Sequence, residues 1–240
     1  SISMVINELR NNKLRTFLSL LGVTIGIFCI ISVLTVFDSL QQNIQQSMQT
    51  LGSKTLYVGK YPWIPEDKGE YPWWKYKSRP VSTYHEVAAL KKYVSTASHV
   101  CISYTEPSKV SFQNQMSQVG LFAVSNDFEK FQHFDIEQGR YFTGSELQNP
   151  NMNTVVIGST VADELFLQKT NPIGQSLILY GNHCTIIGVL KKQGRSNMGF
   201  DFDGAVILPY VYLASIRDID GQIGNGFVDP MLMVEAKKDI

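Results

Sequence analysis

The sequence predicts an α+β protein: an N-terminal transmembrane helix and stalk, followed by a two-lobed extracytoplasmic domain. Three observations carry this. Residues 16–37 are apolar and uncharged, residues 39–51 are polar, uncharged and spaced like a helix, and short helical and strand patterns interleave over the remainder. A composition of 44% apolar and 18% charged residues excludes a disordered chain. Lys+Arg and Asp+Glu both number 21, so no excess positive charge exists to attract nucleic acid. Three cysteines are too few for a disulfide scaffold.

The run TFLSLLGVTIGIFCIISVLTVF would span about 33 Å as a helix, matching a hydrocarbon core of about 30 Å. Its Thr16, Ser19, Thr24, Ser32 and Thr35 can return their hydroxyls to the helix's own carbonyls. A secretory signal would have a shorter apolar core and a small-residue cleavage site. No alanine occurs before Ala88, so the anchor is expected to stay attached. Arg10, Lys13 and Arg15 precede the span, whereas the first basic residue after it is Lys54. The positive-inside rule keeps residues 1–15 cytoplasmic and exports the chain beyond Phe37. Ile2, Val5, Ile6 and Leu9 form an apolar stripe, as in an amphipathic helix lying on the inner membrane surface. Gly22 and Gly26 form a GxxxG pattern that lets a second helix approach closely.

Residues 38–51 read as the same helix continuing outward as a stalk. Leu40, Ile44, Ser47 or Met48, and Leu51 make a narrow seam suited to packing against another helix, and Gly52 sits where a helix C-cap belongs. A strand is expected at 54–59. Residues 61–80 then hold four of the nine prolines and all three tryptophans, Trp63, Trp73 and Trp74. This aromatic insertion, read as an irregular loop or hairpin, either grips a partner or the lipid interface or covers a local apolar cluster. Ser82 or Thr83 should cap a helix to Tyr93. Strands are expected near 98–105, 107–113, 117–124, 154–157, 176–180, 183–190, 205–208 and 228–236, with the turn Gly181-Asn182. Asn126 and Asp127 should start a short helix, Ser159 should cap another to Phe166, and Pro209 should open one to Ile216.

Catalytic signatures fail on inspection. His85-Glu86 opens an HExxH pattern, but Ala89 occupies the second ligand position. Gly194 to Gly199 has the glycine spacing of a P-loop, but Phe200-Asp201 replaces its Lys-Ser/Thr. His99, His133 and His183 lack partners at ligand spacing. Asp201 and Asp203 are too few for a calcium site. Cys101 and Cys184 are read as two separate buried thiols rather than a disulfide. No catalytic, cofactor or metal residue is assigned.

The ordered set LRNNKLRTFLSLLGVTIGI, LGSKTLYV, DIEQGRYFTGSE, TVVIGSTVADELF, NPIGQSL and TIIGVLKKQG closely resembles MacB-type ABC transporter permeases, over nearly the whole chain. The resemblance implies a periplasmic core domain with a membrane-near Porter-like lobe at 52–105 and 204–240, and an inserted Sabre-like lobe at 106–203. It implies the inner membrane, a homodimer or related permease as partner, and a separate ATPase subunit, since the chain has no nucleotide-binding motif. ATP and magnesium would then belong to that partner. A periplasmic adaptor and an outer-membrane channel are further partners the resemblance brings in. Its mode of action would be mechanotransmission, in which cytoplasmic ATP binding moves the outer domains to drive efflux or release of peptides, lipoproteins or other molecules. The insertion at 61–80 departs from the family pattern. A single-span sensor or ligand-binding protein is the competing reading of the same anchor, and a membrane-tethered enzyme a third.

Overall fold

The computed structural model describes residues 13–50, 55–61, 73–76, 78–132, 134–167, 170–194, 201–219 and 229–237. The expected amphipathic segment before residue 13, Leu51, Gly52, Trp63 and His133 lie outside the described residues. The chain divides into two compact units, residues 1–48 and 49–240.

The first unit is helical. α1 runs unbroken through Lys13–Thr50, joining the expected span to the expected stalk. Within it, Phe17–Gln42 is long and apolar enough to cross a membrane and has no buried part. Thr24 Oγ1 donates to Leu20 O and Thr35 Oγ1 to Ile31 O, both at 2.8 Å, so these hydroxyls need no partner in lipid.

The second unit is built on a nine-stranded sheet. In chain order its elements are β1 (Thr55–Val58), α2 (Trp73–Tyr76), α3 (Tyr84–Tyr93), β2 (Ala97–Phe112), β3 (Gln115–Val124), α4 (Phe128–Phe131), β4 (Ile136–Gly139), α5 (Gly144–Gln148), β5 (Thr154–Ile157), α6 (Ser159–Phe166), β6 (Ser176–Leu179), β7 (Asn182–Leu190), β8 (Ala205–Pro209), α7 (Tyr210–Ile216) and β9 (Met231–Ala236). The strand order is β1-β9-β2-β3-β8-β5-β7-β4, and β6 pairs with both β7 and β2. The pairings β2-β3-β8-β5-β7-β6 therefore return to β2 and close a six-stranded ring. All six strands contribute to one apolar cluster, through Val110, Val119, Val206, Val155, Cys184 and Leu177, which places that cluster inside the ring. α6 adds Val161, Leu165 and Phe166 to it, and α3 adds Val87. The opposite sheet face carries a second cluster around Phe122, Val156, Ile207 and Met233, joined by Phe128 and Phe131 of α4. Alternation along the strands explains the division. Leu121 and Ala123 face one cluster, Phe122 and Val124 the other.

Three local expectations are corrected. The strands expected at 98–105 and 107–113 are one strand, β2, running straight through Pro107. Pro107 pairs with Gly120, whose N–H donates to Gly204 O at 3.0 Å, away from β2. In an antiparallel ladder, that makes the pair non-hydrogen-bonded, so the missing N–H of Pro107 costs the β2–β3 ladder nothing. On its other side, β9 stops at Ser103 and β6 begins at Val110, so no strand needs that donor. Ser159 is not a cap; it is the first residue of α6, and Gly158 is the N-cap. Thr160 N–H instead donates to Asp203 O at 3.0 Å, so a loop carbonyl does the capping work. The hairpin turn is Tyr180-Gly181 rather than Gly181-Asn182. Tyr180 (φ 49°) and Gly181 (φ 78°) both have the positive φ of a type I′ turn. The short elements β4, α2 and α5 have no counterpart among the sequence expectations.

Candidate functional site

Two surfaces concentrate the residues singled out by sequence. The first is α1. At about 100° per residue, an unbroken helix puts positions 22, 26, 40 and 44 within about 40° of one another and 48 about 40° further round. Gly22, Gly26, Leu40, Ile44 and Met48 thus lie on one stripe running from the expected span into the expected stalk. Nothing lies within 4 Å of where a Cβ would stand on Gly22 or Gly26, and Leu40 is exposed. Trp73 and Trp74 lie on α2, Trp74 being 59% exposed.

The second surface is where DIEQG, VIGSTVADELF, NPIG and GVLKK converge, as β4, α6, the loop before β6 and the end of β7. Two close backbone approaches hold it. Gly139 and Gly188 pair across β4 and β7, and a Cβ on Gly188 would stand 2.4 Å from Arg140 O. A Cβ on Gly158 would meet Asp203 O and Phe202 O at 2.2 Å. The Asp203 side chain is itself a clamp. Its Oδ1 accepts from Gln193 N–H at 2.9 Å and its Oδ2 from Gly194 N–H at 2.8 Å. Asp201 Oδ1 accepts from Gly204 N–H at 3.2 Å, so both carboxylates serve the backbone.

Beside it, Arg140 grips Glu146 with two parallel bonds of 2.7 and 2.8 Å. Glu146 also accepts from Thr143 N–H at 2.8 Å, closing a Thr143-x-x-Glu146 capping box on α5. These contacts, Arg140 first, hold the Glu146 carboxyl down at about 2 although burial pushes the other way. Sequence reasoning missed this ion pair; the T-x-x-E spacing was its only signal. A half-open cavity of about 530 Å³ lies between α6, β4 and the loop before β6, with Glu137, Asp163 and Lys192 in its lining. The three charges are of mixed sign, which suits a solvated cleft.

Acid–base or nucleophilic chemistry finds no constellation among the described residues. Cys101 and Cys184 are free and lie in opposite apolar clusters, and burial pushes both thiols up, away from the reactive thiolate. His99 bonds Glu235 at 2.9 Å, a cross-strand pair of β2 and β9. Among the described residues, no group of three His, Cys, Asp or Glu could hold a metal ion.

The family model described as MacB-like periplasmic core domain matches residues 16–240. The chain belongs to this family. The MacB-like fold is also what comparison of coordinates finds. The periplasmic region of MacB from Actinobacillus actinomycetemcomitans superposes with a TM-score of 0.59 at 15% identity, covering 80% of this chain and 79% of that one. Among curated relatives, the pyoverdine export ATP-binding/permease protein PvdT of Pseudomonas syringae pv. syringae is 29% identical over 229 residues, 95% of this chain. The macrolide export ATP-binding/permease protein MacB of Nitrosomonas europaea is 26% identical over 204 residues, 83% of this chain. The chain spans about a third of the length of these relatives, 32% of the first and 28% of the second. The MacB-like segment thus comprises an apolar helix suited to membrane anchoring and the core domain.

Proposed function

We propose that this chain is part of the permease of a MacB-type ABC exporter and contributes no catalysis of its own. The observation that carries this is the union, in one chain, of a MacB-like core domain and an unbroken 38-residue helix. Such a helix is about 57 Å long, and a bilayer core of about 30 Å leaves about half of it to stand outside as a rigid stalk. A rod that rises unbroken out of the bilayer is what mechanotransmission needs. The stripe of Gly22, Gly26, Leu40, Ile44 and Met48 supports pairing with a second permease copy or a related one along the whole rod.

In this reading the N-terminus is cytoplasmic, the inner membrane holds Phe17–Gln42, and the core domain is periplasmic. An ATPase unit binds ATP and magnesium, and its closure moves the paired stalks. An adaptor and outer-membrane channel complete the export route, for peptides, lipoproteins or other exported molecules. The division into a membrane-near lobe (52–105 and 204–240) and an inserted lobe (106–203) belongs to the same proposal. The 105/106 boundary falls inside β2, and β8 pairs with β3 and β5 across the same division, so the two lobes share one sheet.

Spin labels at position 44 in the full-length permease with its ATPase test this reading. Two label separations are expected, exchanged by nucleotide. One separation, unchanged by nucleotide, would contradict it.

A further inference from the structure

The sheet narrows sharply at one place. β3 gains β8 as a neighbour only from Gly120 onward, and β2 has β9 only as far as Ser103 and β6 only at Val110 and Ser111. At Ser108 and Lys109, opposite Val119 and Gln118, the sheet is therefore two strands wide. Pro107 and Gly120 face each other at the edge of this neck. A cavity of about 360 Å³, lined by Pro107, Ser108, Lys109, Gln118 and Val119, lies against it. Beyond the neck lie two hairpin tips, β2–β3 around Gln113-Asn114 and β6–β7 around Tyr180-Gly181, joined by the pairs Val110–Leu179 and Ser111–Ile178.

Side chains tie the tips to the body on α6, where Phe112 packs on Phe166 with ring centres 4.4 Å apart and Ser117 Oγ donates to Glu164 at 2.5 Å, and a polar junction spans the neck itself. Glu106, on the body side, accepts from Tyr180 OH of the β6–β7 tip at 2.6 Å and from Tyr104 OH at 3.1 Å. Arg217, at the end of α7, donates to the same carboxylate at 2.5 Å, and its guanidinium lies 4.7 Å from the centre of the Tyr180 ring. The Glu106 side chain is only 13% exposed and Arg217 is 40% exposed, so solvent screens their pair in part.

We propose that the two tips form one hinged element, with the neck as its hinge and Glu106, Tyr180 and Arg217 as the brace that fixes its pose. A two-stranded ribbon with proline opposite glycine has few ladder bonds to resist bending. The brace supplies from side chains the stiffness the ladder lacks there. The inference concerns the domain itself and holds whatever cargo or ATPase the permease serves.

Amide hydrogen exchange of the full chain in detergent micelles tests it. Glu106→Gln and Arg217→Met should each speed exchange in 108–118 and 176–185 by about tenfold or more, leaving β5 and β8 unchanged. Tyr180→Phe, which loses the hydroxyl and keeps the ring, should speed the same segments less. Arg217 is 40% exposed, so its variant supplies the reading even if Glu106→Gln fails to fold. Unchanged exchange at the tips in Arg217→Met would overturn the proposal, as would a uniform acceleration that includes β5 and β8.

Discussion

Gly158→Ala is expected to destabilise the core domain by about 3 kcal/mol or more. The added Cβ would stand 2.2 Å from two backbone oxygens, Asp203 O and Phe202 O. Neither atom belongs to a flexible side chain that could swing away. Moving them would strain the Gly158 N–H to Ala205 O bond (2.8 Å), the Thr160 N–H to Asp203 O bond (3.0 Å) and the Asp203 clamp on Gln193 and Gly194 together. For a unit of this size, such a loss lowers the melting temperature by roughly 6–12 °C. Gly144→Ala is the control, since its Cβ would find its nearest neighbour at 3.9 Å. That variant should melt within about 2 °C of the parent. Thermal unfolding of the detergent-solubilised chain reads both, and equal melting temperatures for the two variants would refute the close-approach explanation.

Stability should also fall in acid through Glu146. Its carboxyl titrates at about 2 in the folded chain against an ordinary 4.5. A carboxylate whose folded value is depressed stabilises above its unfolded value and ceases to do so as pH drops through the folded one. The loss should therefore develop between about pH 4.5 and pH 2. Arg140 is 53% exposed, so solvent screens the pair and the contribution is on the order of 2 kcal/mol. Glu146→Gln should remove about that much at neutral pH and flatten the decline between pH 4.5 and 2, as measured by denaturant unfolding across pH. A mutant whose acid profile matches the parent would place the stabilisation elsewhere.

The elements that could be read from the sequence are those set by local chemistry. An uncharged apolar run can only be a span or a core helix, and Thr154–Ile157 is an apolar run with room for nothing but a buried strand. The continuation of the span into the stalk was legible too, and the unbroken α1 aligns positions 22, 26, 40 and 44 on one stripe. What escaped was non-local. The strands expected at 98–105 and 107–113 join as one because β3 presents its non-hydrogen-bonded side to Pro107. Ser159 had the right residue type for a cap, but the carbonyl of Asp203 had already satisfied that turn. Glu106, Tyr180 and Arg217 are distant in sequence, and no local pattern marks them as one junction. Within the family segments, Gly139, Gly158 and Gly188 answer to close backbone contacts, which tolerate no side chain.

Topology is the most direct test of the central claim that a membrane rod carries an exported core domain. A cysteine in place of Lys130, whose side chain is 53% exposed, provides the handle in a chain whose Cys29 is replaced by Ser, since Cys101 and Cys184 are buried. In intact spheroplasts, a membrane-impermeant maleimide should label Lys130→Cys above the Cys29→Ser chain alone, and the labelled protein should leave the membrane only with detergent. Labelling that appears only after lysis would contradict an exported domain.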